Sequence, residues 1–84
     1  MKYVNQNELN RIVGQNIKKY RLNYSKNNEK MTQEKLSELI NVSISLIRNL
    51  ESNKIKQGIS ISNLYKISVV LDVPINKFFE DNDE

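Results

Sequence analysis

The 84-residue sequence lacks several residue types on which common functional sites depend. It contains no cysteine and no histidine, which excludes disulfides, thiolate metal sites and a histidine general base. Only two glycines and one proline are present, and no glycine-rich phosphate loop exists. No apolar run approaches the roughly 20 residues of a membrane span. Residues 1–8 are mixed and polar, unlike a secretory leader. We therefore expect a cytoplasmic, non-enzymatic protein without metal or cofactor.

The length of the chain limits its domain count. A second hydrophobic core would have too few residues, so a single domain is expected over residues 1–84. The apolar pattern places the core within about residues 7–79. The acidic residues 80–84 are expected to form a frayed end.

The charge is distributed unevenly along the chain. The net charge is +3, and residues 78–84 hold four of the ten acids and none of the basic residues. Residues 1–77 are therefore strongly basic, which favours a polyanionic partner such as nucleic acid or an anionic membrane. The basic residues do not gather on one amphipathic face, which disfavours the membrane. A merely solvated surface is the alternative interpretation of the charge.

Apolar spacing predicts helices with short connections. Residues recurring at intervals of three and four predict a first helix over about residues 7–25. Gly14 lies inside it at a cost of roughly 1 kcal/mol relative to alanine, which indicates a close packing contact. Residues 25–30 are polar and aperiodic, so an exposed loop is expected there.

Capping residues mark the later helices. Thr32, Ser43 and Ser60 are suitable N-caps for helices ending near residues 40, 52 and 71. Pro74 blocks continuation of the fourth helix, and residues 75–79 are expected to form a last helical turn. No alternation typical of strands occurs. The prediction is an all-α bundle of five short helices.

The second and third predicted helices carry the most specific pattern. Ser37 is a small residue where two helices must approach closely, and Asn41 suits a left-handed turn. Val42 is placed to plug the turn, while Ile47 and Leu50 pin the second helix of the pair. Leu36 and Leu39 are expected to face inward. The combination is typical of a helix-turn-helix.

The wider sequence resembles the Cro/repressor (XRE-like) family of bacterial and phage regulators. The resemblance rests on GQNIKKYR at residues 14–21, MTQEKLSEL at 31–39 and VSISLIRNLE at 42–51. It implies a lambda repressor-like domain that binds double-stranded DNA sequence-specifically as a transcriptional regulator, with repression the expected outcome. The segment between Leu22 and Met31 is longer than in compact phage repressors.

A recognition helix over residues 43–52 would enter the major groove, where base edges carry a distinguishable donor and acceptor pattern. With Ile47 and Leu50 turned inward, the opposite face offers five base-reading candidates: Ser43, Ile44, Ser45, Arg48 and Asn49. Asparagine suits adenine, arginine suits guanine or a phosphate, and isoleucine suits a thymine methyl. For Ile44 an additional core position is the alternative.

Further roles are assigned to residues around the motif. Phosphate contacts are expected from Gln33 at a helix start and, by resemblance, from Lys54, Lys56 and Gln57. The resemblance also implies an ion pair between Arg21 and Glu51 that fixes the recognition helix. Because one such helix reads few base pairs, a homodimer on a pseudo-palindromic operator is expected. Its interface candidates are Pro74, Ile75 and Phe78, with Phe79 assigned to the core.

Other functions remain open at this point. An antitoxin would bind DNA and also a partner protein, and a DNA-binding segment of a larger sensor would carry the same motif. An enzyme is disfavoured, because Glu34 and Glu38, four residues apart on a helix, fit a solvated face better than a catalytic pair.

Overall fold

The computed structural model describes residues 4–52 and 57–81. In these ranges the elements are α1 (Gln6–Leu22), β1 (Ser25–Lys26), β2 (Glu29–Lys30), α2 (Gln33–Ile40), α3 (Ile44–Ser52), α4 (Ile61–Leu71) and a 3-10 helix (Ile75–Phe79). The predicted helical bundle is thus present with four α-helices, and the expected fifth helix is the short 3-10 helix. The two strands were not predicted.

Side-chain caps start the helices where the sequence indicates. The hydroxyl oxygens of Thr32, Ser43 and Ser60 accept hydrogen bonds from the backbone N–H three residues later, at 3.0, 3.2 and 3.1 Å. Asn41 adopts φ 60° and ends α2 in the left-handed conformation, as predicted. Asp72, with φ 58°, ends α4 in the same way, before Pro74 is reached. Asn53, the residue that follows α3 in the sequence, lies outside the described residues.

The expected loop at residues 25–30 is a β-hairpin. Ser25 pairs with Lys30 and Lys26 with Glu29. Asn27 and Asn28 form the connection with φ values of 56° and 64°. Two consecutive left-handed residues give the tight hairpin turn that matches strand twist, and asparagine tolerates this conformation. The expectation of a loop without strands is wrong at these residues, because strands of two exposed residues carry no alternating pattern.

Two ion pairs connect the hairpin to the helices. Lys35 Nζ lies 2.7 Å from Glu29 Oε2, and Lys26 Nζ lies 3.6 Å from Asp72 Oδ2. The hydrogen bond from Lys35 lowers the pKa of Glu29, and the same bond raises the pKa of Lys35. Both pairs are solvent-exposed, so they orient the hairpin more than they stabilise the fold.

The turn offers a direct test by substitution. Replacing Asn28 with glycine should raise the free energy of unfolding by a few tenths to about 1 kcal/mol, because glycine adopts the left-handed conformation without steric cost. Urea denaturation would measure the change. The control is Asn23→Gly, at a residue with φ −88°, where glycine should destabilise. A lower midpoint for Asn28→Gly would contradict the turn assignment.

The core lies where α1, α2, α3 and α4 meet the 3-10 helix. Ile17, Leu36, Ile47, Ile67 and Phe78 are completely inaccessible to solvent. The expectation that Leu39 faces inward is wrong, since 54% of it is exposed. Leu36 and Ile40 already occupy the buried side of α2.

Phe78 requires a correction of the predicted dimer interface. Its side chain is completely buried, and its ring packs edge-on against Tyr20 with centroids 5.4 Å apart. Phe79, expected in the core, is 44% exposed. The 3-10 geometry decides which of the two adjacent rings turns inward, and helical spacing alone does not.

A buried asparagine on α1 holds the end of the 3-10 helix. Asn16 is 1% exposed, and its Nδ2 donates to the carbonyl oxygens of Phe78 and Glu80, both at 2.8 Å. Glu80 belongs to the segment that was expected to fray. This role of Asn16 was not predicted, because an asparagine in a helix is usually a surface residue.

Candidate nucleic-acid interface

The polar side of α3 is turned away from the core. Ile47, Leu50 and Glu51 are buried on the inner side of the helix. Four of the five predicted base-reading residues have polar side chains: Ser43, Ser45 and Arg48 are exposed, and Asn49 is half-buried. The structure therefore leaves polar side chains in the first turns of α3 accessible to solvent.

Ile44 occupies the first position of α3. It is half-buried, yet it is not one of the partly buried side chains that pack against the core cluster in the described chain. Its position supports a surface role more than the alternative of an additional core residue.

A tight turn fixes α3 relative to α2. The backbone N–H of Val42 donates to the carbonyl oxygen of Ser37 at 3.0 Å, while the Val42 side chain packs on the core. Ser37 is 3% exposed, and its hydroxyl donates to the carbonyl oxygen of Glu34 at 2.7 Å. Because the small side chain is buried and its hydroxyl is paired within α2, the helices can pack closely.

Arg21 and Glu51 join α1 to the end of α3. Arg21 Nε donates to Glu51 Oε2 at 2.7 Å, and Arg21 Nη2 donates to Glu51 Oε1 at 2.8 Å. A third guanidinium nitrogen, Nη1, donates to the carbonyl oxygen of Met31 at 3.0 Å. Both side chains are buried, so this bidentate pair is a scaffold contact.

Gln33 is part of the same network. Its Nε2 donates to Glu51 Oε1 at 3.0 Å, which ties the start of α2 to the ion pair. Gln33 was predicted to contact phosphate, and its contact with Glu51 was not predicted, because nothing in the spacing of the two residues indicates it. The side chain is half-buried, and one of its amide hydrogens is used internally.

A cleft of about 270 Å³ opens between α1, α2 and α3 beside this network. It is lined by Lys18, Arg21, Gln33, Arg48, Glu51 and Ser52. Glu51 compensates the charge of Arg21. Within residues 4–52 and 57–81, Lys18 and Arg48 form no salt bridge, and both are exposed. The cleft is therefore positively charged at its entrance and lies against the first residue of α2.

Two groups of predicted residues remain, namely the phosphate contacts that follow α3 in the sequence and the dimer-interface candidates. Gln57 is half-buried and donates from Nε2 to the carbonyl oxygen of Gly58 at 2.9 Å. Lys54 and Lys56 lie outside the described residues. Pro74 is exposed, and Ile75 is half-buried against the core. No helix in the described ranges has the length and hydrophobicity required to cross a bilayer.

A comparison with protein families finds a match to the sequence that forms this arrangement. A family model described as helix-turn-helix matches residues 17–78, which is more than half of the chain. The chain belongs to the Cro/C1-type helix-turn-helix family. The matched segment contains α2, α3 and all residues that line the cleft. Family membership supports sequence-specific DNA binding by a transcriptional regulator. A search of curated proteins finds no significant match.

Proposed function

We propose that this helix-turn-helix protein is a transcriptional repressor that binds a pseudo-palindromic operator as a homodimer. The observation that carries the proposal is the accessible polar face of α3 on a helix whose opposite face is anchored by the buried Arg21–Glu51 pair. A major groove about 12 Å wide admits one α-helix, and the N-terminal residues of that helix reach the base edges.

Base reading is assigned to the first turns of α3. Asn49 presents an amide that can pair with adenine at two atoms, and Ile44 presents an aliphatic group suited to a thymine methyl. Ser43 and Ser45 add hydroxyls that pair with several bases or with a phosphate. The Ser43 oxygen also caps α3.

Phosphate binding is assigned to the basic cleft. Lys18 and Arg48 supply charges that no carboxylate of the described chain compensates, and Gln33 opens α2, whose first-turn N–H groups favour an anion. Arg48 lines this cleft, which supports a phosphate contact for it over a base contact. Lys54, Lys56 and Gln57, which follow α3 in the sequence, remain proposed phosphate contacts.

Dimerisation is proposed because one recognition helix discriminates few base pairs. Two-fold pairing places two copies of α3 on half-sites about one helical turn apart. Pro74 and Ile75 remain interface candidates, since neither is completely buried. Selection of bound duplexes from random DNA tests the proposal. A two-fold-symmetric motif with half-sites about 10 bp apart is expected, and recovery of unrelated sequences would contradict it.

Single substitutions should separate base reading from phosphate contact. Asn49→Ala should relax preference at one base position, by about 1–3 kcal/mol. Lys18→Ala should weaken binding to all sequences alike. The slope of log affinity against log salt concentration should become shallower by about one, which corresponds to one lost phosphate contact. Fluorescence anisotropy on the selected operator and on single-base variants would measure both effects.

The matched control is Lys66→Ala, which removes an exposed cation on α4 outside the cleft. It should change affinity much less than Lys18→Ala. Uniform weakening by both Asn49→Ala and Lys18→Ala would contradict the assignment of the reading face.

A DNA-binding antitoxin is a second candidate, favoured by one observation. Ile61, Tyr65 and Val69 form an exposed apolar stripe on α4, with 60–76% of each residue accessible. Exposed apolar patches of this kind commonly mark protein contacts. Co-expression with the product of the neighbouring gene, followed by purification, would distinguish the two candidates through a stoichiometric second chain.

A further inference from the structure

The chain leaving the 3-10 helix places a carboxylate on α1. Asn16 binds the carbonyl oxygens of Phe78 and Glu80 and so fixes the path of this segment. The next residue, Asp81, then lies with Oδ2 3.8 Å from Arg11 Nη2. The buried Asn16 therefore holds in place the segment that positions Asp81 beside Arg11.

Arg11 lies on the same face of α1 as Lys18, which lines the basic cleft. Lys18 follows Arg11 by seven residues, which is two helical turns and about 10.5 Å along the helix axis. Gln15 lies between them on this face, and its Oε1 accepts a hydrogen bond from Arg11 Nη1 at 3.0 Å. Asp81 thus adds its charge to the face of α1 that carries Lys18, and at 0.01 M salt, where the Debye length is about 30 Å, charges separated by two helical turns still interact.

The carboxylate of Asp81 adds negative charge to an arginine that is already paired. Glu8 forms a salt bridge with the same Arg11 Nη2. Among residues 4–52 and 57–81, the carboxylates of Glu8 and Asp81 therefore both lie beside this guanidinium. The neighbouring acid, Glu80, forms an ion pair with Lys77: Glu80 Oε2 lies 3.6 Å from Lys77 Nζ.

We infer that Asp81 is a built-in electrostatic brake on DNA binding, which lowers the affinity of the adjacent cleft for the DNA backbone. The inference rests on the proposed function and concerns the regulation of the same site. A DNA phosphate that approaches Lys18 is attracted by the cations of the cleft and repelled by the carboxylate of Asp81. Any partner or modification that removes this carboxylate from α1 would strengthen binding.

The test compares two variants with the same change in net charge. Asp81→Asn removes the carboxylate beside Arg11. Glu38→Gln removes an exposed carboxylate on α2 for which no side-chain ion pair or hydrogen bond exists within the described residues. At about 50 mM salt, Asp81→Asn should tighten binding to the operator about two- to fivefold, and the gain should disappear at high salt. Glu38→Gln should have a clearly smaller effect, and Asp81→Arg a larger one.

The outcomes separate the brake from the proposed function. Equal gains for Asp81→Asn and Glu38→Gln would show that only net charge matters and would overturn the brake alone. No gain for Asp81→Asn and Asp81→Arg, with wild-type binding intact, would also overturn it. Failure of the wild-type protein to bind any duplex would overturn both proposals.

Discussion

Replacing Gly14 with alanine should lower the free energy of unfolding by about 2 kcal/mol or more, although alanine is the better helix former. A Cβ atom at this position would lie 2.0 Å from the carbonyl oxygen of Leu50. Backbone atoms cannot rotate away as a side chain can, so α1 and α3 would have to separate. The expected close packing contact at Gly14 is therefore confirmed, and it is a contact with α3.

The second glycine supplies a matched control. A Cβ at Gly58 would meet only the Asn10 side chain at 3.6 Å, an ordinary contact distance. Gly58→Ala should be neutral or slightly stabilising. Thermal unfolding should show a midpoint lower by about 10 °C or more for Gly14→Ala, given 4–8 °C per kcal/mol in a domain of this size. Similar midpoints for both variants would contradict the close-approach argument.

The parts of the fold predicted correctly are those fixed by local chemistry. Thr32, Ser43 and Ser60 cap their helices because a hydroxyl at a helix start pairs with an otherwise unpaired N–H. Asn41 ends α2 because its side chain tolerates a positive φ. These requirements involve residues a few positions apart, so the sequence contains the whole interaction.

The parts that were missed depend on contacts between distant residues. Asn16 is buried because two carbonyl oxygens more than sixty residues later approach it. Gln33 turns to Glu51 because the ion pair with Arg21 brings that carboxylate to the start of α2. The exposure of Leu39 likewise depends on how α2 packs, which spacing within α2 does not specify.

Removing Glu51 should produce a large loss of stability. Glu51→Ala leaves the Arg21 guanidinium buried without its counter-charge, at a cost of about 3–5 kcal/mol. The total stability expected for a domain of this length is about 4–12 kcal/mol, so this loss is a large share of it. Glu51→Gln keeps the shape and an acceptor, and it should be destabilised less than Glu51→Ala. Urea denaturation of both variants, monitored by circular dichroism, would measure the differences.

A double substitution tests whether the cost comes from the unpaired charge. Arg21→Met with Glu51→Leu replaces both charges by apolar groups, so it should be more stable than Glu51→Ala despite the larger change. Glu29→Ala removes the exposed partner of Lys35 and should have a small effect by comparison. Additive losses from Arg21→Met and Glu51→Leu, with no recovery in the double variant, would contradict a coupled pair. A stable double variant that binds the operator weakly would show that the network positions Gln33 and α3 for DNA as well as stabilising the fold.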